Sequence, residues 1–160
     1  MGSKGLVFKG SKSLFITIVS GGVVILDYIT KRAIVEYVSP YEAIEILPFL
    51  RIVHVKNPGA AFGLFSNLSS NVFIFISIIA IALIILYSIS LRRGLELSSL
   101  SLILGGVGGN LIDRLTIGQV IDFIDFFVGS WHWPAFNIAD SAMTIGIILF
   151  LWSNLKQKRC

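Results

Sequence analysis

Two carboxylates open the question of chemistry. Asp122 lies in the stretch VIDFIDFF and Asp140 in FNIADSA, in a chain with only nine acidic residues, and each sits within a few residues of hydrocarbon-like sequence. Charge is expensive to hold in such surroundings, so an acid kept there usually has a function. Two carboxyl groups brought together at low dielectric resist ionising together, so they can share one proton and divide general-base and general-acid work. An aspartic site of this kind hydrolyses a peptide without a covalent intermediate: one ionised group deprotonates water while the protonated one polarises the carbonyl. Because such a pair titrates jointly, the sequence does not say which aspartate holds the proton. No cofactor is expected.

Those acids must be positioned by membrane helices. Of 160 residues, 55% are hydrophobic and only 14% charged, and the mean hydropathy is +0.86; a soluble domain would carry roughly 25% charged residues. The net charge of +4 is spread over loop ends, with no basic helix face or aromatic-interleaved patch, so nucleic acid is not an expected partner. The one cysteine, Cys160, excludes a disulfide framework and a dithiol redox motif within the chain.

The expected fold is a bundle of four membrane-spanning helices, over about 14–29, 72–91, 97–113 and 136–153, with a small extracytoplasmic β-sheet in the loop 33–68 between the first two. The first apolar stretch follows Lys4, Lys9 and Lys12 as a signal peptide would, but Asp27 and Lys31 replace a cleavage site, so it reads as a retained anchor. With both termini cytoplasmic, Lys4, Lys9, Lys12, Arg92, Arg93, Lys156, Lys158 and Arg159 lie inside against Lys31, Arg32, Arg51, Lys56 and Arg114 outside. That eight-to-five excess favours this orientation. Trp131 and Trp133 then mark the outer interface, and Tyr87 and Trp152 the inner one.

In the outer loop, Ile34–Val38 and Ile44–Val55 are rich in strand-forming residues and are separated by the turn-like SPYE. Pro48 suits an edge or a bulge. The loop leads into NPGAAFG, where Asn57, Pro58, Gly59 and Gly63 indicate a tight segment whose backbone could approach a partner. No repeat or linker divides the chain, so one unit is expected.

With this topology the polar residues converge at one membrane interface: Asp27 and Lys31 from the first span, Asn110, Asp113 and Arg114 from the third, Asn137 and Asp140 from the fourth. Asp27 and Lys31 are one helical turn apart, as are Asn110 and Arg114, so each pair can share a helix face. Gly105, Gly106, Gly108 and Gly109 would allow close helix packing, and no P-loop lysine follows them.

The motifs LDYITK, NPGAAFG, GGNLIDR, VIDF and FNIADSA, in this order and from Asp27 to Ala142, resemble the signature of the lipoprotein signal peptidases, or signal peptidase II. The resemblance implies an aspartic endopeptidase of the bacterial inner membrane, cutting diacylglyceryl-modified prolipoproteins just before the lipidated cysteine, with its active site near the outer face. It further implies that Asp122 and Asp140 are the catalytic pair. Asn57, Asn110, Arg114 and Asn137 are expected to line or brace the substrate site where globomycin-type inhibitors bind. Gly59, Asp113, Asp27 and Lys31 are counted with these bracing groups. The resemblance ranks Asp125 below Asp122, because the family motif places its catalytic carboxylate immediately before the first Phe.

Simpler readings exist for each feature. Asp27 with Lys31, and Asp113 with Arg114, read as structural or positioning pairs, and the glycine cluster as packing. His54 and His132 read as ordinary loop residues outside any HExxH pattern, which argues against a zinc protease. A cation held by Asp122, Asp125 and Asp140 is chemically conceivable. No serine stands beside an evident base. The competing function is a small proton- or cation-coupled transporter subunit, which predicts acids near the bilayer midplane and repeat-related broken helices; a noncatalytic scaffold leaves the paired acids unused. Substrate entering sideways from membrane lipid suggests a monomer.

Overall fold

A computed structural model describes residues 3–40, 42–59, 68–91 and 94–157. Ala60 to Gly63 of the NPGAAFG motif, Tyr41 of SPYE, Arg92, Arg93, Lys158 and Arg159 lie outside the described residues.

Four helices carry the bundle: α1 (Ser3–Tyr37), α2 (Ser70–Ser90), α3 (Leu95–Ile117) and α4 (Ile138–Gln157). All four are long and apolar enough to cross a membrane. Helix α3 is the hub and touches the other three. Its glycines explain how. A Cβ on Gly105 would stand 2.7 Å from the Val23 Cβ of α1, one on Gly106 would meet the Ala139 carbonyl of α4, and one on Gly109 would stand 2.7 Å from Asp27 Oδ2. Only glycine permits these backbones to lie so near. From the other side, a Cβ on Gly146 of α4 would fall 2.7 Å from the Ser99 carbonyl of α3. At the end remote from the sheet, Lys12 donates to the carbonyls of Ile89 and Leu91, closing the C-terminus of α2.

Helix α1 runs beyond the expected 14–29. Its 35 residues extend about 52 Å at 1.5 Å per residue, well over the ~30 Å hydrocarbon thickness. The segment Ile34–Val38, expected as a strand, continues this helix to Tyr37, and the Val38 amide still donates to the Ile34 carbonyl. β-branched residues only weakly oppose a helix already in progress. No glycine or proline intervenes until Pro40, which restricts Ser39 and ends it.

The sheet contains β1 (Ala43–Leu47), β2 (Leu50–Asn57), β3 (Val120–Val128) and β4 (Trp131–His132), antiparallel and in that spatial order. Its first hairpin lies between α1 and α2 as expected, but β3 and β4 join it from the connection between α3 and α4. Gly118, at φ 75°, stops α3 in the left-handed conformation that glycine adopts without strain, and the β-branched and aromatic run VIDFIDFFV follows as a strand. Pro48 stands in the β1–β2 turn rather than in a strand, where its fixed φ and missing N–H do no harm. Between Ile52 and Val55 the β2–β3 register shifts, so two residues, Val53 and His54, oppose Phe123. Trp131 and Trp133 are exposed at the sheet end of the bundle, with Tyr87 and Trp152 exposed toward the other.

Candidate active site

The site is assembled around a buried ammonium group. Lys31 is 3% exposed, and its Nζ contacts Asp27 Oδ2 at 2.7 Å, Asp113 Oδ2 at 2.9 Å and Asn110 Oδ1 at 3.0 Å. An ammonium has three hydrogens, and all three are engaged. Each carboxylate in turn fastens a neighbouring element. Asp27 Oδ1 accepts the Ala139 amide at 2.9 Å, in the first turn of α4, and Asp113 Oδ2 accepts the Ile121 amide at 3.0 Å, at the start of β3. Thus α1, α3, β3 and α4 meet at one lysine.

Asp113 therefore pairs with Lys31, not with Arg114 as the sequence suggested. Neighbouring residues on a helix point about 100° apart, and Arg114 turns toward Gly59, donating to its carbonyl at 3.0 Å while lying over the Phe73 ring. Of Asn110, Arg114 touches only the carbonyl, at 3.4 Å.

Asp140 is held by the way α4 begins. Asn137 precedes the helix as its N-cap; its Oδ1 accepts the Asp140 amide at 2.9 Å, and Asp140 Oδ2 accepts the Asn137 amide at 3.2 Å. This reciprocal capping box satisfies amides that a helix start would otherwise leave bare. The other carboxylate oxygen, Oδ1, accepts Asn110 Nδ2 at 2.8 Å. Lys31 on Asn110 Oδ1 fixes that amide's orientation, so its nitrogen faces Asp140. The spacing Asn-x-x-Asp is visible in the sequence, and reading it as a helix start would have placed the first residue of α4 at Ile138 rather than Phe136.

Asp122 comes from β3 and is buried. Asn137 Nδ2 donates to its Oδ1 at 2.7 Å and Asn57 Nδ2 to its Oδ2 at 2.9 Å. Asn57 is itself fixed, because its Oδ1 accepts the Gly59 amide at 2.9 Å. Burial raises the Asp122 carboxyl from 3.8 to about 7, assisted by the nearby Asp140 and opposed by the two asparagine bonds and by Lys31. Asn137 is thereby common to both acids, bonding one through its side-chain amide and the other through backbone and carbonyl oxygen.

Both aspartates line a cavity of about 660 Å³, together with Asn57, Gly59, Asn110 and Arg114. Ser141, Thr144 and Ile147 of α4, Ser77 of α2, Val107 of α3 and the stretch Trp133 to Phe136 also line it. Pro134, Ala135, Ser77 and Thr144 carry no motif that would mark them in the sequence, and Trp133 was expected only as a marker of the outer interface. Asp27, Lys31, Asp113 and the fully buried Asn137 are not among the groups facing this space.

Asp125 lies elsewhere. Three residues along a strand from Asp122, it leaves the opposite face and binds Arg51 Nε at 2.6 Å and His132 Nδ1 at 3.1 Å. Asp122, Asp125 and Asp140 therefore do not form a common cation cage. Neither histidine is an ordinary loop residue. His132 stacks on Phe127, and His54 is buried in β2, its Nδ1 2.9 Å from the Val38 carbonyl.

Comparison with known proteins agrees over nearly the whole chain. A family model described as signal peptidase (SPase) II matches residues 19–156. The lipoprotein signal peptidase of Thermodesulfovibrio yellowstonii is 41% identical over 151 residues, covering 94% of this chain and 97% of that one. The lipoprotein signal peptidase of a Janthinobacterium species is 40% identical over 162 residues, covering 98% of each. A solved bacterial membrane enzyme superposes with a TM-score of 0.84 at 35% identity, covering 90% of this chain and 89% of that one.

Proposed function

Because this chain belongs to the signal peptidase II family, whose members remove signal peptides from prolipoproteins, we propose that it does so as an aspartic endopeptidase with Asp122 and Asp140 as its catalytic pair. The observation that carries this reading is the delivery of two carboxyl groups, from a strand and a helix start, to one cavity, each with oxygens oriented by asparagine amides. A transporter subunit predicts acids near the bilayer midplane on repeat-related broken helices, whereas Asp122 stands on β3, outside the four spans.

In the reaction, one proton is held between the acids. The ionised member takes a proton from water as the oxygen attacks the scissile carbonyl, while the protonated member hydrogen-bonds the carbonyl oxygen where charge develops. The tetrahedral intermediate then collapses, the C–N bond breaks, and the proton taken from water passes to the departing amine. Asn57 and Arg114, at the cavity wall, are placed to bind peptide carbonyls. The apolar part of the cavity along α4 suits the signal-peptide helix, leaving the diacylglyceryl chains in lipid. Asn110 and Asn137 orient the acids, and Asp27, Lys31 and Asp113 brace the elements that carry them. The chain acts as one unit and as a monomer.

Cleavage of a diacylglyceryl-modified prolipoprotein tests the reading: mass spectrometry is expected to show a product beginning with the lipidated cysteine. A cut elsewhere, or none under conditions where an authentic family member works, overturns it. Globomycin-type inhibitors are expected to compete with this substrate.

The pH profile follows from Asp122. Its carboxyl titrates at about 7, so raising pH through 7 removes the shared proton and kcat falls. Asn57→Ala deletes a bond that stabilises the ionised form, so this alkaline limb is expected to move to higher pH. An unmoved limb would mean that Asp122 does not set it.

The lysine and arginine distribution supports a topology with both termini in the cytoplasm and the sheet with the catalytic pair at the outer face. Cys160 is the chain's one thiol. A membrane-impermeant maleimide is expected to label it only after cells are broken open; labelling in intact spheroplasts reverses the topology.

A further inference from the structure

Strand β2 changes phase on its way to the site. Leu50 stands opposite Phe126 and Ile52 opposite Ile124, yet Val55 stands opposite Asp122 and Asn57 opposite Val120. Paired residues share a face of an antiparallel sheet, and side chains alternate along each strand. Without interruption Lys56 would oppose Val120, and Asn57 would point to the face away from Asp122. The additional residue in the Val53–His54 segment, set against Phe123 alone, restores the phase. Such a bulge turns every later side chain over, and here it brings Asn57 Nδ2 to 2.9 Å from Asp122 Oδ2.

His54 fastens this bulge. It is buried, and its Nδ1 lies 2.9 Å from the carbonyl of Val38, just past the end of α1. A carbonyl only accepts, so Nδ1 carries the hydrogen. The opposite nitrogen, Nε2, is buried and has no hydrogen-bond partner among the described residues. A leucine of similar volume would avoid that unsatisfied atom, so the useful part of the ring is its Nδ1–H. We infer that His54 is a positioning residue of the peptidase: its bond to Val38 pins the β2 bulge to the end of α1 and thereby holds Asn57 on the face of Asp122. The inference rests on the reading of Asp122 as a catalytic group.

The test is a double-mutant cycle on the full chain in detergent, with prolipoprotein as substrate. His54→Leu is expected to lower kcat about tenfold with KM within about twofold. His54→Asn is expected to return to within about threefold of the parent, because the asparagine amide nitrogen stands where Nδ1 stood and can donate to Val38. In an Asn57→Ala background, His54→Leu is expected to change kcat less than twofold, since the residue it positions is gone. Equal losses in both backgrounds, or no rescue by asparagine, would overturn the inference in favour of a general folding role. Parental cleavage by Asn57→Ala would also overturn it, while the Asp122→Asn result still decides the catalytic pair separately. Should His54→Leu fail to fold, nitrogen NMR of histidine-labelled parent protein decides: hydrogen on Nδ1 supports the inference, and hydrogen on Nε2 alone defeats it.

Discussion

Asp122→Asn and Asp140→Asn are each expected to lower kcat for prolipoprotein cleavage by about a thousandfold, the scale of a lost general acid or base, while the protein stays folded and inserted. Neither change alters side-chain volume much, and both remove a buried charge. For Asp122 the sign can be worked out. Its folded-state value, about 7, lies above the ordinary 3.8, so its contribution to stability is fully present below 3.8 and lost as pH rises through 7. Asparagine does not ionise, so at pH 8 the variant is relieved of that penalty. It has one new conflict: both Asp122 oxygens accept N–H groups, from Asn57 and Asn137, and an asparagine would turn its own amide hydrogens toward one of them. The two effects oppose, and thermal unfolding in detergent should therefore remain within a few degrees of the parent. Cleavage at a tenth of the parental rate or more, at matched folded amount, would remove that aspartate from the chemistry.

Lys31→Met is expected to destabilise the protein by about 3–5 kcal/mol, the usual result of removing one partner from a buried ion pair. Asp27 and Asp113 would face each other across the space Lys31 filled. Their other bonds hold the start of α4 and the start of β3, so the damage reaches the elements bearing Asp140 and Asp122, and cleavage should fall with stability. Neutralising both acids tests this account. An asparagine oxygen at 27 or 113 can still accept the Ala139 or Ile121 amide, so the triple variant Lys31→Met, Asp27→Asn, Asp113→Asn should regain most of the loss. Chemical denaturation measures both steps. A Lys31→Met protein within 1 kcal/mol of the parent would show that the buried cluster is not a structural hub.

Much of this was legible in the sequence because membrane physics leaves few options. Apolar runs of helix-spanning length gave the four helices, and the few acids kept in or beside them, Asp27, Asp113 and Asp140, pointed to a meeting place at one membrane interface. What stayed hidden depended on contacts far apart in the chain. The turn spacing of Asp27 and Lys31 revealed their pair, but nothing local indicated that Asp113, 82 positions after Lys31, would be the second counter-ion. The VIDFIDFF segment displayed its acids and not its strand, because a short apolar run carries no clear period when both faces are covered. The β2 bulge was invisible for a related reason: it exists only in the register with β3, and His54 looked like an ordinary polar residue until that register was known.

The capping box at the start of α4 has a consequence for biosynthesis. Asp140, the asparagine that touches both acids, and the amide that Asp27 binds all belong to Asn137–Asp140, whereas Asp122 and its strand are made earlier. A nascent chain that has emerged only through β3 holds Asp122 without Asp140, with Asp27 still lacking the amide it will bind. It has no second acid with which to share a proton. Insertion of the fourth helix therefore completes the cap, the brace and the proposed catalytic pair in a single step. On that reading the enzyme is made beside its own unfinished helices without a working site until that step.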